Sequence, residues 1–251
     1  MDFTSKAIVI TGAGAGIGRR TALEIASRGG LLTVGDIDPS KAEGVAKEIT
    51  DAGGRAIAAQ ADVRDYGQVE AMIGAAIKEF GQVDILVNNA GTGIPKPFIT
   101  TDPEEWNFDI GICLFGVMNG CRAVLPHMVE RNAGRIVNIC SDAGRVGEPM
   151  LAAYSAAKAG VIGFTKAIAK EVARNNILVN CVCFSTIRTE LFDGIFKANP
   201  EMEQKMVKRY PMRRVGEMGE AAATIMLMCS DYVTFITGQV LSCNGGYAMV
   251  D

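Results

Sequence analysis

Histidine is all but absent from this chain: His127 is the only one in 251 residues. The seven cysteines are an odd set, and their spacings match no zinc-binding pattern. Cys113 and Cys121 lie eight residues apart in a helical pattern. Cys181 and Cys183 alternate along a strand pattern, so both point to one side. No metal site or disulfide scaffold is expected; buried free thiols in a reducing cytoplasm fit this composition. No apolar run reaches the roughly 18 residues that a membrane helix needs. The longest uncharged ones, 110–121 and 177–187, are short and carry polar residues. Residues 1–6 lead straight into a strand pattern, without a targeting signature. A net charge of −3 offers no field for nucleic acid. No linker, repeat or low-complexity stretch interrupts the chain, so 1–251 reads as a single domain.

Hydrophobic residues make up 49% of the chain, enough for a substantial core. Short apolar strand patterns alternate with amphipathic helical patterns at regular intervals. This predicts an α/β fold with a parallel sheet covered on both faces. The first strand pattern, 6–11, runs into Gly12-Ala13-Gly14-Ala15-Gly16-Ile17-Gly18 and then a helix. A strand, a glycine turn and a helix amino terminus together form an anion site, where backbone amides approach a pyrophosphate. The second strand pattern ends in Asp36, followed by Ile37 and 18 residues beyond Gly18. A carboxylate near this spacing takes the ribose hydroxyls of NAD and repels a 2′-phosphate. No arginine or lysine stands in the glycine loop or directly after Asp36, so NAD is favoured over NADP. The third strand pattern ends before Asp62-Val63. This pair is placed at the adenine edge, although an aspartate there also suits a turn. The fourth strand pattern ends in Asn88-Asn89-Ala90-Gly91. Ligands of parallel sheets bind at the strands' carboxyl ends, and Gly12, Asp36, Asp62, Asn88 and Ser141 all fall there.

A long helical pattern covers 103–131 and includes Trp106. The strand pattern 135–140 follows and stops at Ser141. An alanine-rich helical pattern then carries Tyr154 and Lys158 four residues apart, on one helix face. Taken alone, that pair reads as a surface contact. Beside Ser141 at a strand end it reads as acid–base machinery. Tyrosine has an ordinary pKa of about 10, and a nearby ammonium lowers it. A serine hydroxyl can donate to a carbonyl or alkoxide oxygen. Such a set moves a proton on and off a secondary alcohol.

In this order and spacing the motifs resemble the short-chain dehydrogenase/reductase family, in its compact single-domain branch. The resemblance covers the whole chain. It rests on Thr11-Gly12-x-x-x-Gly16-x-Gly18, on Asn88 to Gly91, on Ser141 with Tyr154-x-x-x-Lys158, and on Gly245-Gly246. It implies a seven-stranded parallel Rossmann sheet, a homotetramer, and hydride transfer between NAD and a secondary alcohol or ketone. By position, Tyr154 is the implied acid/base and Lys158 its partner, which also holds the nicotinamide ribose. Ser141 is the implied substrate-orienting hydroxyl, Asn88 lines the cofactor cleft, and Asn89, Ala90 and Gly91 are implied to bind the cofactor. Ile187 and Thr189 match the stretch that meets the cofactor beyond the sixth strand. Two positions depart from the family pattern. Cys113 stands where the family usually has an asparagine on the long helix, and Phe184-Ser185 stands where Pro-Gly is common.

The substrate pocket is expected from 92–98, from 142–150 and from a lid at about 190–215. Ile94, Met150, Phe184, Leu191 and Phe192 supply apolar walls, with Arg145 the one cation near Ser141. Stretches such as Phe235 to Ser242 are similar to the 2-hydroxycyclohexanecarboxyl-CoA dehydrogenases. A cyclic or β-hydroxyacyl-CoA substrate follows from that similarity, with the lid's lysines and arginines facing CoA phosphates or simply water. The alternatives are a free cyclic alcohol, sugar or steroid, a 3-oxoacyl-thioester reductase, and a non-catalytic NAD-binding regulator.

Overall fold

Runs of valine, isoleucine and leucine give the strands, and helices with one apolar face return the chain between them. The computed structural model describes residues 1–250, except the side chain of Leu191. The elements are β1 (Ala7–Thr11), α1 (Gly16–Ala26), β2 (Leu31–Asp36), α2 (Pro39–Asp51), β3 (Arg55–Gln60), α3 (Tyr66–Phe80) and β4 (Ile85–Asn88). Next come α4 (Pro103–Ile110), α5 (Gly116–Arg131), β5 (Gly134–Ser141), the single turn α6 (Ala143–Val146), α7 (Ala152–Val172) and β6 (Ile177–Phe184). Then follow β7 (Ile187–Arg188), α8 (Glu190–Ala198), α9 (Pro200–Val207), β8 (Gly216–Glu217), α10 (Met218–Cys229) and β9 (Val240–Cys243). Seven strands make one parallel sheet in the order β3-β2-β1-β4-β5-β6-β9. The order reverses between β1 and β4, the switch point where strand ends open a crevice. This is the Rossmann-like α/β architecture that the alternation of patterns predicts.

Alternate strand residues feed two cores. Ile8, Ile10, Leu32, Val34, Val137, Ile139 and Val182 face Ala22 and Ile25 of α1, Val45 and Ile49 of α2, and Ile225 of α10. Val9, Leu86, Ile136, Cys140, Val179, Cys181 and Cys183 face the other way. They meet Met72 and Ile73 of α3, Val124 and Met128 of α5, and Val161 and Ala169 of α7. The second core also encloses a polar chain. Asn88 Nδ2 donates to Asn138 Oδ1 at 2.9 Å, and Asn138 Nδ2 donates to Thr165 Oγ1 at 2.9 Å.

The stretch 103–131 departs from a single α-helix. Gly111–Phe115 between α4 and α5 is a π-helical segment, with Cys113 at its middle. By length and composition the whole stretch is apolar enough to cross a bilayer, unlike the sequence expectation. Its inward residues Val117, Cys121, Val124 and Met128 are instead buried against the sheet. The α4 end is set by Asp102, which accepts from the amides of Glu104 and Glu105 while the Glu105 carboxylate accepts from the Asp102 amide.

Gly120 lets α5 approach the polar chain: a Cβ there would stand 2.1 Å from Asn88 Oδ1. Gly120→Ala is expected to cost about 1–3 kcal/mol of stability, read as a lower midpoint of urea unfolding with unchanged slope.

Candidate active site

The glycine loop is pinned from two sides. Thr11 Oγ1 accepts from the amides of Asn89 and Ala90, each at 3.0 Å. Asn89 Nδ2 donates to the carbonyls of Thr11 and Gly12 at 2.9 and 3.0 Å. Gly12 and Gly16 have φ of +61° and +54°, a backbone region that favours glycine. At Gly18, a Cβ would come within 2.3 Å of the Gly12 carbonyl. The α1 amino terminus therefore lies hard against the loop. Aspartates cap α2, α3 and α4. By contrast, α1 starts at Ala15 with no side-chain cap and no acidic residue in its first turn. Its free amides and positive dipole end suit a phosphate group.

Asp36 closes the other end of the loop. Its Oδ2 accepts from the Gly14 amide at 2.9 Å and its Oδ1 from the Asp38 amide at 3.0 Å. From there a cleft of about 610 Å³ runs across the carboxyl ends of the strands to Ser141, Tyr154 and Lys158. It is lined by Gly12, Ala15, Gly16, Ile17, Gly18, Asp36, Ile37, Asp62, Val63, Asn89, Ala90, Gly91, Ile187 and Thr189. Glycine loop, acid and Tyr–Lys pair thus share one continuous cavity of a size common for cofactors. The residues fit a dinucleotide: a glycine cradle with open amides, a carboxylate one strand away, and a polar cluster at the far end.

Lys158 is buried, with 2% of its surface exposed. Its Nζ donates to the Ile139 carbonyl at 2.8 Å and stands 5.6 Å from the centroid of the Tyr154 ring. Burial pulls its pKa down, but attraction to the ionisable Tyr154 and nearby cysteines raises it overall. Burial also acts on Tyr154, and there it wins. The phenol's pKa is raised above its ordinary value, although the Lys158 cation and the Ser141 hydroxyl both pull it down. Ser141 Oγ accepts from the Ala143 amide at 3.1 Å, which fixes its place at the start of α6. Gly91 and Gly93 leave the room that this cluster needs. A Cβ at either would lie 3.2 Å from Lys158 Nζ or 2.9 Å from the Tyr154 ring.

Behind Ser141, Asp142 is buried and accepts from Ser242 Oγ at 2.9 Å and from Asn244 Nδ2 at 2.6 Å. Burial raises its pKa against these two donors. The Asn244-Gly245-Gly246 motif serves this contact. Gly245 and Gly246 have φ of +59° and +84°, and the Gly246 amide donates to Asn244 Oδ1.

Several expected site residues lie elsewhere. Gly14 does not line the cleft; it holds the Asp36 carboxylate. Asn88 points into the second core, and Asn89, one residue on, faces the cleft, because adjacent residues on a strand point to opposite faces. Cys113 is fully buried beneath the cleft and donates to the Thr92 carbonyl at 3.1 Å. Burial raises its thiol pKa, so it sits as an inert thiol rather than at the cleft wall. Arg145 turns away, donating to Ser242 Oγ at 2.8 Å and to the Val250 carbonyl at 2.7 Å. Phe184, Ser185 and Phe192 do line the cleft. Ile94 and Met150 line a neighbouring cavity of about 280 Å³, with Phe98, Trp106 and Phe108. The side chain of Leu191 lies outside the described residues. Thr92 and Glu190, inside the expected 92–98 stretch and lid, border the cleft, whereas sequence reasoning missed Ala61, Ile112, Ile139 and Cys140, which border it too. Cys140 could have been found from its place one residue before Ser141.

Two arginines of the expected lid, and Arg188 just before it, are held in ion pairs. Arg209 bonds Glu148 at 2.9 Å and also Tyr247, and Arg214 bonds Glu220 at 2.6 Å. Arg188 bridges Asp193 and Glu203. Phe196, Tyr210 and Val215 form a small separate core beneath them.

Comparison with known proteins bears on the same residues. The family model described as short chain dehydrogenase matches residues 6–200. The chain is 37% identical over 246 residues to the 3-oxoacyl-[acyl-carrier-protein] reductase FabG of Staphylococcus aureus, covering 98% of this chain and 99% of that protein. It is 38% identical over 248 residues to the 3-oxoacyl-[acyl-carrier-protein] reductase of Synechocystis, covering 98% of both. It is 37% identical over 252 residues to the (2S)-[(R)-hydroxy(phenyl)methyl]succinyl-CoA dehydrogenase subunit BbsD of Thauera aromatica, covering 99% of both.

The raised pKa of Tyr154 has a sign that can be measured. The folded state holds this proton more tightly than the unfolded chain. The phenol therefore favours folding below the ordinary tyrosine value of about 10, and that contribution is lost as pH rises through its folded value. The difference in phenolate absorbance between the protein and Tyr154→Phe is expected to titrate above the ordinary range. In Lys158→Met the midpoint moves higher still, because the one cation that favours the phenolate is gone.

Proposed function

This chain belongs to the short-chain dehydrogenase family, and we propose that within it the protein transfers hydride reversibly between NAD and a 3-hydroxyacyl/3-oxoacyl thioester. The observation that carries this reading is the single cleft joining the glycine loop and Asp36 to Ser141, Tyr154 and Lys158. The relatives act, by name, on 3-oxoacyl-carrier-protein and on a hydroxylated acyl-CoA. A 2-hydroxycyclohexanecarboxyl-CoA belongs to the same chemical class, since its hydroxyl is β to the thioester. The wall formed by Phe184 and Phe192 suits an apolar acyl body.

The nicotinamide, when bound, supplies the hydride chemistry; the protein supplies positioning and electrostatics. Ser141 donates to the substrate oxygen and Tyr154 sits across from it. A phenol held protonated at neutral pH by burial is in the form that gives its proton to a ketone oxygen. In the reverse direction Tyr154 takes the alcohol proton. Lys158 stabilises the phenolate so formed, and its bond to the Ile139 carbonyl keeps it in place.

Asp36 supports NAD over NADP. Its carboxylate lines the cleft beside the glycine loop, and a 2′-phosphate bound next to it would meet that charge. Lys41 packs over Gly14, but its ammonium is 3.8 Å from the Asp38 carboxylate. A homotetramer in the cytoplasm is part of the same reading. The half-exposed Phe108, Phe115 and Met118 on 103–131 give an apolar face for a second copy. The ion pairs of Arg188, Arg209 and Arg214 do not favour CoA over a carrier protein as the thiol half.

Nicotinamide absorbance followed with acetoacetyl-CoA, 2-hydroxycyclohexanecarbonyl-CoA and cyclohexanol tests the reading. Turnover of the thioesters and not of cyclohexanol is expected, and the opposite pattern overturns it. Tyr154→Phe is expected to lose about 10²–10⁴-fold in kcat, with NADH binding by fluorescence unchanged. Asp36→Asn keeps the loop's shape but removes the charge. It is expected to narrow the preference for NAD over NADP by about tenfold or more, the scale of one charge-assisted hydrogen bond.

A further inference from the structure

Three thiols on two adjacent strands converge behind the active-site serine. Cys181 and Cys183 lie two residues apart on β6 and point to the same face. Cys140 on β5 is the direct register partner of Cys183. Their sulfur atoms all lie within 4.8 Å of one another. Cys181 and Cys183 are fully buried and Cys140 is 3% exposed. All seven cysteines are free thiols. No zinc-type spacing marks this group in the sequence, because β5 and β6 are separated by the whole of α7 and only the sheet register brings them together.

We propose that Cys140, Cys181 and Cys183 form a three-thiolate site for a soft, closed-shell divalent cation of the zinc and cadmium class. Metal–sulfur bonds of about 2.3 Å spread over three ligands put the sulfurs roughly 4 Å apart. Side-chain rotation alone therefore closes the set. Thiolates select soft ions over hard ones. Charge also favours a divalent ion. Three thiolates around it leave one negative charge, and the buried Lys158 ammonium balances that charge in the same interior. The Lys158 carbonyl is 3.1 Å from Cys140 Sγ, and its Nζ bonds the carbonyl of the residue before Cys140. A neutral set is what a buried site requires. Cys140 also borders the large cleft. An ion entering the cleft would meet the cluster from the side of Cys140. Binding exchanges three S–H protons for three metal–sulfur bonds, with no change of oxidation state. The metal would sit one residue from Ser141 and against the backbone of Lys158, so occupancy would act as a soft-metal inhibitor of the same cleft.

Cadmium titration of the reduced full-length chain tests the site through the ultraviolet absorption of cadmium–thiolate bonds. X-ray absorption of the one-to-one complex counts the sulfur neighbours. One tightly bound equivalent with three sulfurs is expected. Residues that merely orient a metal ligand contribute about 10–100-fold to affinity. Cys140→Ser, Cys181→Ser and Cys183→Ser are therefore each expected to weaken binding at least about tenfold and drop the count to two. Cys229→Ser and Cys243→Ser, outside the cluster, leave both unchanged. If a serine variant fails to fold, the sulfur count in the native chain and its rise in melting temperature with cadmium still decide. Absence of binding, fewer than three sulfurs in the native complex, or unchanged affinity in folded cluster variants overturns the proposal.

Discussion

One buried cation sets the geometry around which the cleft is built. Lys158 carries its charge into the interior, where desolvation opposes it, and keeps it through a carbonyl, a phenol and a group of thiols. An ammonium in that position needs a rigid shell, because a lost partner would leave an unpaired buried charge. The shell comes from four elements. β5 supplies the Ile139 carbonyl, α7 supplies the lysine and tyrosine, and the turn after β4 supplies Gly91 and Gly93, which are small enough to approach. β6 closes the back with its cysteines. The parallel register of β4, β5 and β6 is thus a condition for the site as well as for the core.

The two halves of the cleft are built on different principles. At the glycine loop, the backbone itself is the recognition surface, held by Thr11, Asn89 and Asp36 through hydrogen bonds to main-chain groups. At the far end the side chains act, and the backbone mainly keeps out of the way. The start of α1 faces that recognition surface and, unlike those of α2, α3 and α4, has no aspartate on its first amides. An acid at the start of α1 would satisfy the helix and repel the phosphate.

The alternation of strand and helix made the sheet legible from sequence, because glycines near the starts of β2, β3, β4, β5 and β9 separate each strand pattern from the helical pattern before it. The same logic located Ser141, Tyr154, Lys158 and Asp36 in one cleft. It failed where direction on an element decides. Asn88 and Asn89 are indistinguishable in sequence, yet one is buried among Asn138 and Thr165 and the other faces the cleft. Arg145 sits beside Ser141 in the chain but spends its charge on Ser242 and Val250. Ile94 and Met150 are near the site in sequence and fall into the cavity next door. The π-helical segment at Gly111–Phe115 left no compositional trace beyond its flanking glycines, and it carries Cys113 under the cleft rather than to its wall. Only half of the thiol cluster was visible: Cys181 and Cys183 share a face of one strand, but Cys140 joins them from another through the sheet register.

The contact of Asp142 with Ser242 and Asn244 joins the active-site serine's neighbour to the outermost strand of the sheet. β9 has one side free, with Leu241 partly exposed there. Two hydrogen bonds side by side tie that edge directly to the residue after Ser141. The sheet's rim and its chemistry are therefore stiff or slack together.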